Sequence, residues 1–173
     1  HAFLATRTAG GIIRPHYHDV DQFQIVVLGG GTLGKHEAAM HTVHFARAFT
    51  PYGPIIADER GLGFLTLRSV RAEGFYPLAT MSEELKKMPN RKPWQGSDHP
   101  NFEESGDVSV HPLARLKDEN GLACYSLKLK PNAMASAPDP SASNGQYLII
   151  TKGGINYEGK DYSAITIVFV RPD

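Results

Sequence analysis

The stretch "PHYHDVDQFQIVVLGGG", residues 15–31, carries two histidines one residue apart, a glutamine four residues further on, a run of β-prone apolar positions and three glycines. Side chains alternate faces along a strand, so His16 and His18 point the same way, as do Gln22 and Gln24. Paired imidazoles on one face, followed by an amide, are a donor set for a borderline metal ion such as Zn, Fe(II), Ni, Mn or Cu. The same residues can instead hydrogen-bond one another, Tyr17 or the backbone inside a polar-lined fold.

Outward from that stretch, short β-branched and aromatic runs recur between glycine, proline and asparagine: "HAFLATRT", "QFQIVVL", "TVHFARAF", "GFLTLRSV", "LACYSLKL", "QYLIIT" and "AITIVFV". Short strands with turns between them predict an all-β barrel or sandwich of antiparallel strands rather than a βαβ fold. The interruption is residues 80–107, where Ser82 is the expected N-cap of a short "EELKKM" helix stopped by Pro89, followed by a polar loop.

The two β regions match each other. A shift of 124 residues lays Gln22-Phe23 on Gln146-Tyr147, Ile25-Val26-Val27 on Ile149-Ile150-Thr151 and Gly29-Gly30 on Gly153-Gly154. It also lays "TVHFAR" on "TIVFVR", with Thr, Phe and Arg identical. Two separated blocks in one register predict a tandem duplication of a β unit. The domain reading is a first unit at 1–72, a helix-and-loop connector at 73–107 and a second unit at 108–173. Residue 173 corresponds to Phe49, before any counterpart of "TPYGPI" and "GFLTLRSV". Either each unit lacks a strand or two, or the sequence is trimmed from a longer chain, and the second is the expectation.

The first stretch resembles the first motif of the cupin superfamily, G-x5-H-x-H-x3/4-E-x6-G. Gly10, His16, His18, Gln22 and Gly29 fit every spacing, with glutamine in place of the glutamate. The resemblance implies a jelly-roll barrel (double-stranded β-helix) in each half, a bicupin with its site inside the first barrel, and a homodimer. It also implies a divalent transition metal (Fe, Zn, Ni or Mn) at His16, His18 and Gln22. The second cupin motif is only partly matched: Pro51-Tyr52-Gly53-Pro54-Ile55 is recognisable, but Ile56 stands where the metal-binding histidine is expected. His44 is the best-placed substitute, though sequence leaves open which face it occupies. The second half has Asp139, Ser141 and Ser143 ahead of Gln146 and no histidine there, so it reads as a degenerate partner.

Candidate small-molecule contacts are Gln24, Arg47, Arg68 and Tyr52, because arginine pairs with carboxylates through its fork and Gln24 shares a face with Gln22. Three functions are open: a metal-dependent enzyme acting on a small polar or aromatic acid (dioxygenase, lyase or isomerase), a metal-free module binding a sugar or carboxylate, and a structural barrel. Catalytic residues are unassigned.

Other classes lack support. Lys plus Arg (18) equals Asp plus Glu (18), which gives no electrostatic pointer to nucleic acid or membrane. No apolar stretch approaches the ~20 residues of a membrane helix, and a cytoplasmic setting is expected. "GGGTLGK" lacks phosphate-loop spacing and reads as a hairpin turn. The single cysteine, Cys124, reads as a structural thiol.

Overall fold

A computed structural model describes residues 1–88, 90–102 and 106–172. The chain is predominantly β and divides into two compact units, His1–Ser97 and Asp98–Asp173.

The first unit runs β1 (Ala2–Arg7), β2 (Ile12–Ile13), β3 (His16–Tyr17), β4 (Gln22–Leu33), β5 (His36–Ala38), β6 (Val43–Ala46), β7 (Ile55–Leu67), β8 (Tyr76–Pro77), α1 (Leu78–Lys86) and β9 (Gln95–Asp98). The main sheet has the order β1-β7-β4-β6-β9, with β2 also on β7 and β5 also on β4; β3 and β8 form a separate antiparallel pair. Among the described residues the pairing leaves this sheet open rather than closing it into a barrel.

Strands β4 and β7 form the centre, and their long pairing shifts register twice, at Val26/Leu28 and at Gly29/Gly31. Gly29 sits at φ +62°, and a Cβ there would collide with the Gly61 carbonyl, so glycine is required where the bent strands approach most closely. Val26, Leu33, Ile55, Leu62 and Phe64 from the two strands make most of the apolar core. The "GGGTLGK" segment lies at the end of β4 and in its turn into β5, as a hairpin.

The helix begins earlier than Ser82. It starts at Leu78, directly after Pro77, with no side-chain cap, and Ser82 is an interior residue. Proline's fixed φ sets the chain up for the first turn, and Leu78 and Ala79 are strong helix formers, so a polar cap is not needed. Leu85 is its buried residue, while Glu83–Lys86 (2.7 Å) and Glu84–Lys87 (2.8 Å) pair along the exposed side. Pro89 lies outside the described residues. The stretch read as a connector is partly structured into the first unit: β8 pairs with β3, and β9 pairs with β6.

The second unit holds β10 (Val108–Pro112), β11 (Tyr125–Leu129), a 3-10 turn (Pro140–Ala142), β12 (Gln146–Ile150), β13 (Gly154–Tyr157), β14 (Lys160–Ser163) and β15 (Thr166–Val170). Its pairs are β10-β11, β12-β15 and β13-β14. The same shift relates strand registers of the two units. Gln22↔Ala46, Phe23↔Phe45, Gln24↔His44 and Ile25↔Val43 become, under the same 124-residue shift, Gln146↔Val170, Tyr147↔Phe169, Leu148↔Val168 and Ile149↔Ile167. Gly31↔Ala38, Thr32↔Glu37 and Leu33↔His36 become Ile155↔Tyr162, Asn156↔Asp161 and Tyr157↔Lys160. Local detail follows. His41 (φ +71°) donates its N–H to the Val26 carbonyl at 2.8 Å, and Ile165 (φ +67°) donates to Ile150 at 2.7 Å. The Phe23–Phe45 ring contact (4.8 Å) recurs as Tyr147–Phe169 (4.9 Å). A one-residue slip would turn every side chain to the opposite face, so a shared register across two hairpins is a demanding agreement.

Cys124 is half-buried, and burial pushes its thiol up to about 11. It is therefore protonated at neutral pH, as a structural thiol should be.

Candidate functional site

Alternation along β3 places His16 and His18 on one side and Tyr17 on the other, where Tyr17 stacks on Tyr76 at 5.1 Å. His16 and Tyr52 exchange both backbone hydrogen bonds (3.1 and 3.0 Å), which sets the imidazole and phenol side by side with ring centroids 4.5 Å apart. The β4–β6 register sets Gln22 opposite Ala46 and Gln24 opposite His44, and the β4–β7 register sets Gln24 opposite Thr66. Arg68 follows the last residue of β7. His16, His18, Gln22, Gln24, His44, Tyr52 and Arg68 are all buried.

Protons in this cluster are assigned by residues that can only donate or only accept. The Arg68 guanidinium, a donor only, gives Nε–H and Nη2–H to Gln22 Oε1 at 3.0 and 2.8 Å. The other end of that amide, its NH₂, therefore faces the site and donates to the Tyr52 hydroxyl. The Arg14 carbonyl, an acceptor only, takes the His16 Nδ1–H at 2.9 Å, so His16 Nε2 is bare and accepts the Tyr52 O–H at 2.8 Å. Gln24 also bears on the Tyr52 hydroxyl, opposing in part the effect of burial. The result is a polarised chain from a cation through an amide and a phenol to an imidazole and the backbone.

His18 gives Nδ1–H to the Gly74 carbonyl at 2.7 Å, leaving Nε2 as a lone pair. Phe75 closes over both histidines, stacked on His16 at 4.3 Å and edge-on to His18 at 5.8 Å. His44 contacts Ser97 Oγ through Nδ1 at 2.9 Å. Its Nε2 and the Gln24 Oε1 are both buried without a hydrogen-bond partner, and both residues line a small cavity with Val26, Leu33, Ile55 and Phe64.

Burial dominates the electrostatics. It lowers His16 to about 4, against the Arg14 carbonyl and with help from His18 and Arg68. It lowers His44 to about 4, with His36 adding to the effect and the Gly96 backbone opposing it. His18 is lowered by burial and Arg68, and raised in part by Gly74 and Asp19. Tyr52 is raised, chiefly by burial, and stays protonated. At neutral pH the lining is thus neutral imidazoles, amides and a phenol around one buried guanidinium, on which Asp19 acts from a half-buried position.

Of the residues singled out in the sequence, His16, His18, Gln22, Gln24, Tyr52 and Arg68 come together. Arg47 does not join them. Phe45 faces opposite His44, and Arg47 continues on that side, with its N–H on the Trp94 carbonyl (2.9 Å) and its guanidinium 5.8 Å from the Trp94 ring. His44 faces inward, which the sequence left open. Phe75 and Thr66 were missed; the only signal for Phe75 is an aromatic pair beside a glycine in "EGFYP".

The donor set does not fit a transition metal as the resemblance implies. His16 Nε2 is engaged by Tyr52, Gln22 turns its NH₂ inward because Arg68 holds its oxygen, and a guanidinium adjoins the pair. Among the described residues no group of three His, Cys, Asp or Glu side chains is placed to hold a metal ion. Comparisons with protein-family models, with curated proteins and with solved structures find no match for this chain.

Proposed function

We propose that the first unit is a metal-free, cupin-like module that binds a small carboxylate inside its polar lining. The carrying observation is the Tyr52 hydroxyl, which bridges His16 and Gln22 and so holds the place a metal would take between them. Arg68 supports an anionic ligand: its guanidinium adjoins a lining of imidazoles, amides and a phenol that is otherwise neutral at pH 7. Gln24 Oε1 is an acceptor, and His44 Nε2 a donor or acceptor according to tautomer, suited to a hydroxyl on the same molecule. Phe75 offers a ring face that closes over the histidines. On this reading the second unit is a partner copy without a site of its own, since it lacks the histidines.

A thermal-shift and calorimetric panel of small hydroxy- and non-hydroxy carboxylates, each beside its neutral amide, tests this. The expected result is stabilisation by carboxylates but not amides, reduced in Arg68→Lys, which keeps the charge and loses the fork. Equal behaviour of acid and amide, or binding only after metal is added, would contradict it.

A further inference from the structure

The 124-residue repeat extends beyond the two hairpins. It carries β1 onto β11, Ala2–Ala5 falling on Ser126–Leu129, just as it carries β4 onto β12. In the first unit one strand lies between these two elements. Residues Phe64, Leu65, Thr66 and Leu67 of β7 pair on one edge with Ala5, Leu4, Phe3 and Ala2, and on the other with Val26, Ile25, Gln24 and Phe23. In the second unit β11 pairs with β10 and β12 pairs with β15, and no strand of the described residues occupies the place of β7.

Exposure agrees with an unfilled position. Ile25 and Val26 are buried, but Ile149 and Ile150 are only half-buried. Apolar positions that one copy buries and the other leaves open mark a missing neighbour rather than a polar surface face.

We infer that the second unit takes up an extended apolar strand, antiparallel to β11 and β12, in the position equivalent to β7. Its chemistry follows from β7: about four residues that can donate and accept along both edges, without proline, and with the large-apolar character of Phe-Leu-Thr-Leu. Its backbone would pair with Ser126–Leu129 on one side and Tyr147–Ile150 on the other, the register that the repeat dictates. The occupant is a partner peptide segment of that chemistry, bound as an added strand.

The test uses the whole chain and the synthetic peptide RGLGFLTLRS, the sequence of residues 60–69, with amide exchange as the readout. Adding the peptide should slow exchange in β11 and β12 by about tenfold or more while leaving β4 unchanged, and the same peptide carrying Leu65→Pro should have no effect. No peptide-dependent protection overturns the proposal. Two other results also overturn it: protection already present without peptide and independent of chain concentration, and protection lost on dilution, which would mean that a second copy fills the edge.

Discussion

At the scale of single residues, Tyr52 organises the site. Its hydroxyl gives its proton to His16 and accepts from Gln22, so one atom satisfies two buried groups. Tyr52→Phe keeps the packing and leaves His16 Nε2 and the Gln22 NH₂ buried without that partner, an expected loss of about 1–3 kcal/mol in urea denaturation. The histidines set a pH dependence. His16 and His44 titrate near 4 when folded and near 6.5 when unfolded, so the unfolded chain binds more protons in between. Their contribution is complete above about 6.5 and is lost as pH falls toward about 4. Urea midpoints should therefore drop between pH 7.5 and 5, and His44→Gln should flatten that slope. The groups facing His44 (His36, Gly96, Ser97, Tyr52, Gln24) include no carboxylate among the described residues, so none reverses the sign. Much of this cluster was legible because His16, His18, Gln22 and Gln24 lie close in sequence and strand alternation fixes their side. The proton arrangement was not, because it depends on Arg68, 46 residues from Gln22.

At the scale of elements, glycine placement controls the β4–β7 contact. Gly29→Ala forces a Cβ onto the Gly61 carbonyl at a positive φ, and the expected cost is about 3 kcal/mol or more, read from the melting transition. Strand existence was readable from β-branched runs, but strand limits were not. Strand β7 begins at Ile55, well before "GFLTLRSV", and runs through Asp58-Glu59-Arg60, a charged stretch that does not look like a strand. Paired residues flank that stretch: Ile55–Ala57 pair with β2 and with Gly31–Leu33 of β4 before it, and Leu62 pairs with Arg7 and Gly29 after it. Tertiary pairing overrides local composition in such a segment. The helix shows the converse, where a sound capping rule pointed to Ser82 and the preceding proline had already started the turn.

At the scale of the molecule, two units share one hairpin plan, and among the described residues only the first carries the buried polar cluster. The shared hairpin register was legible in sequence because the same 124-residue spacing relates "QFQIVV" to "QYLIIT" and "TVHFAR" to "TIVFVR". Which histidines meet, and whether they meet around a metal, was not visible, since the resemblance supplies a pattern and the fold decides what stands between the ligands. No helix among the described residues is long and apolar enough to cross a membrane. On the proposed reading, the Tyr52 hydroxyl stands where a metal would be held between His16 and Gln22. Elemental mass spectrometry on untagged protein, after incubation with Fe(II), Zn, Ni and Mn and removal of free ions, tests it most directly. The expected result is no stoichiometric metal in the wild type and none in His16→Ala. Near-stoichiometric metal in the wild type that disappears in His16→Ala would contradict it.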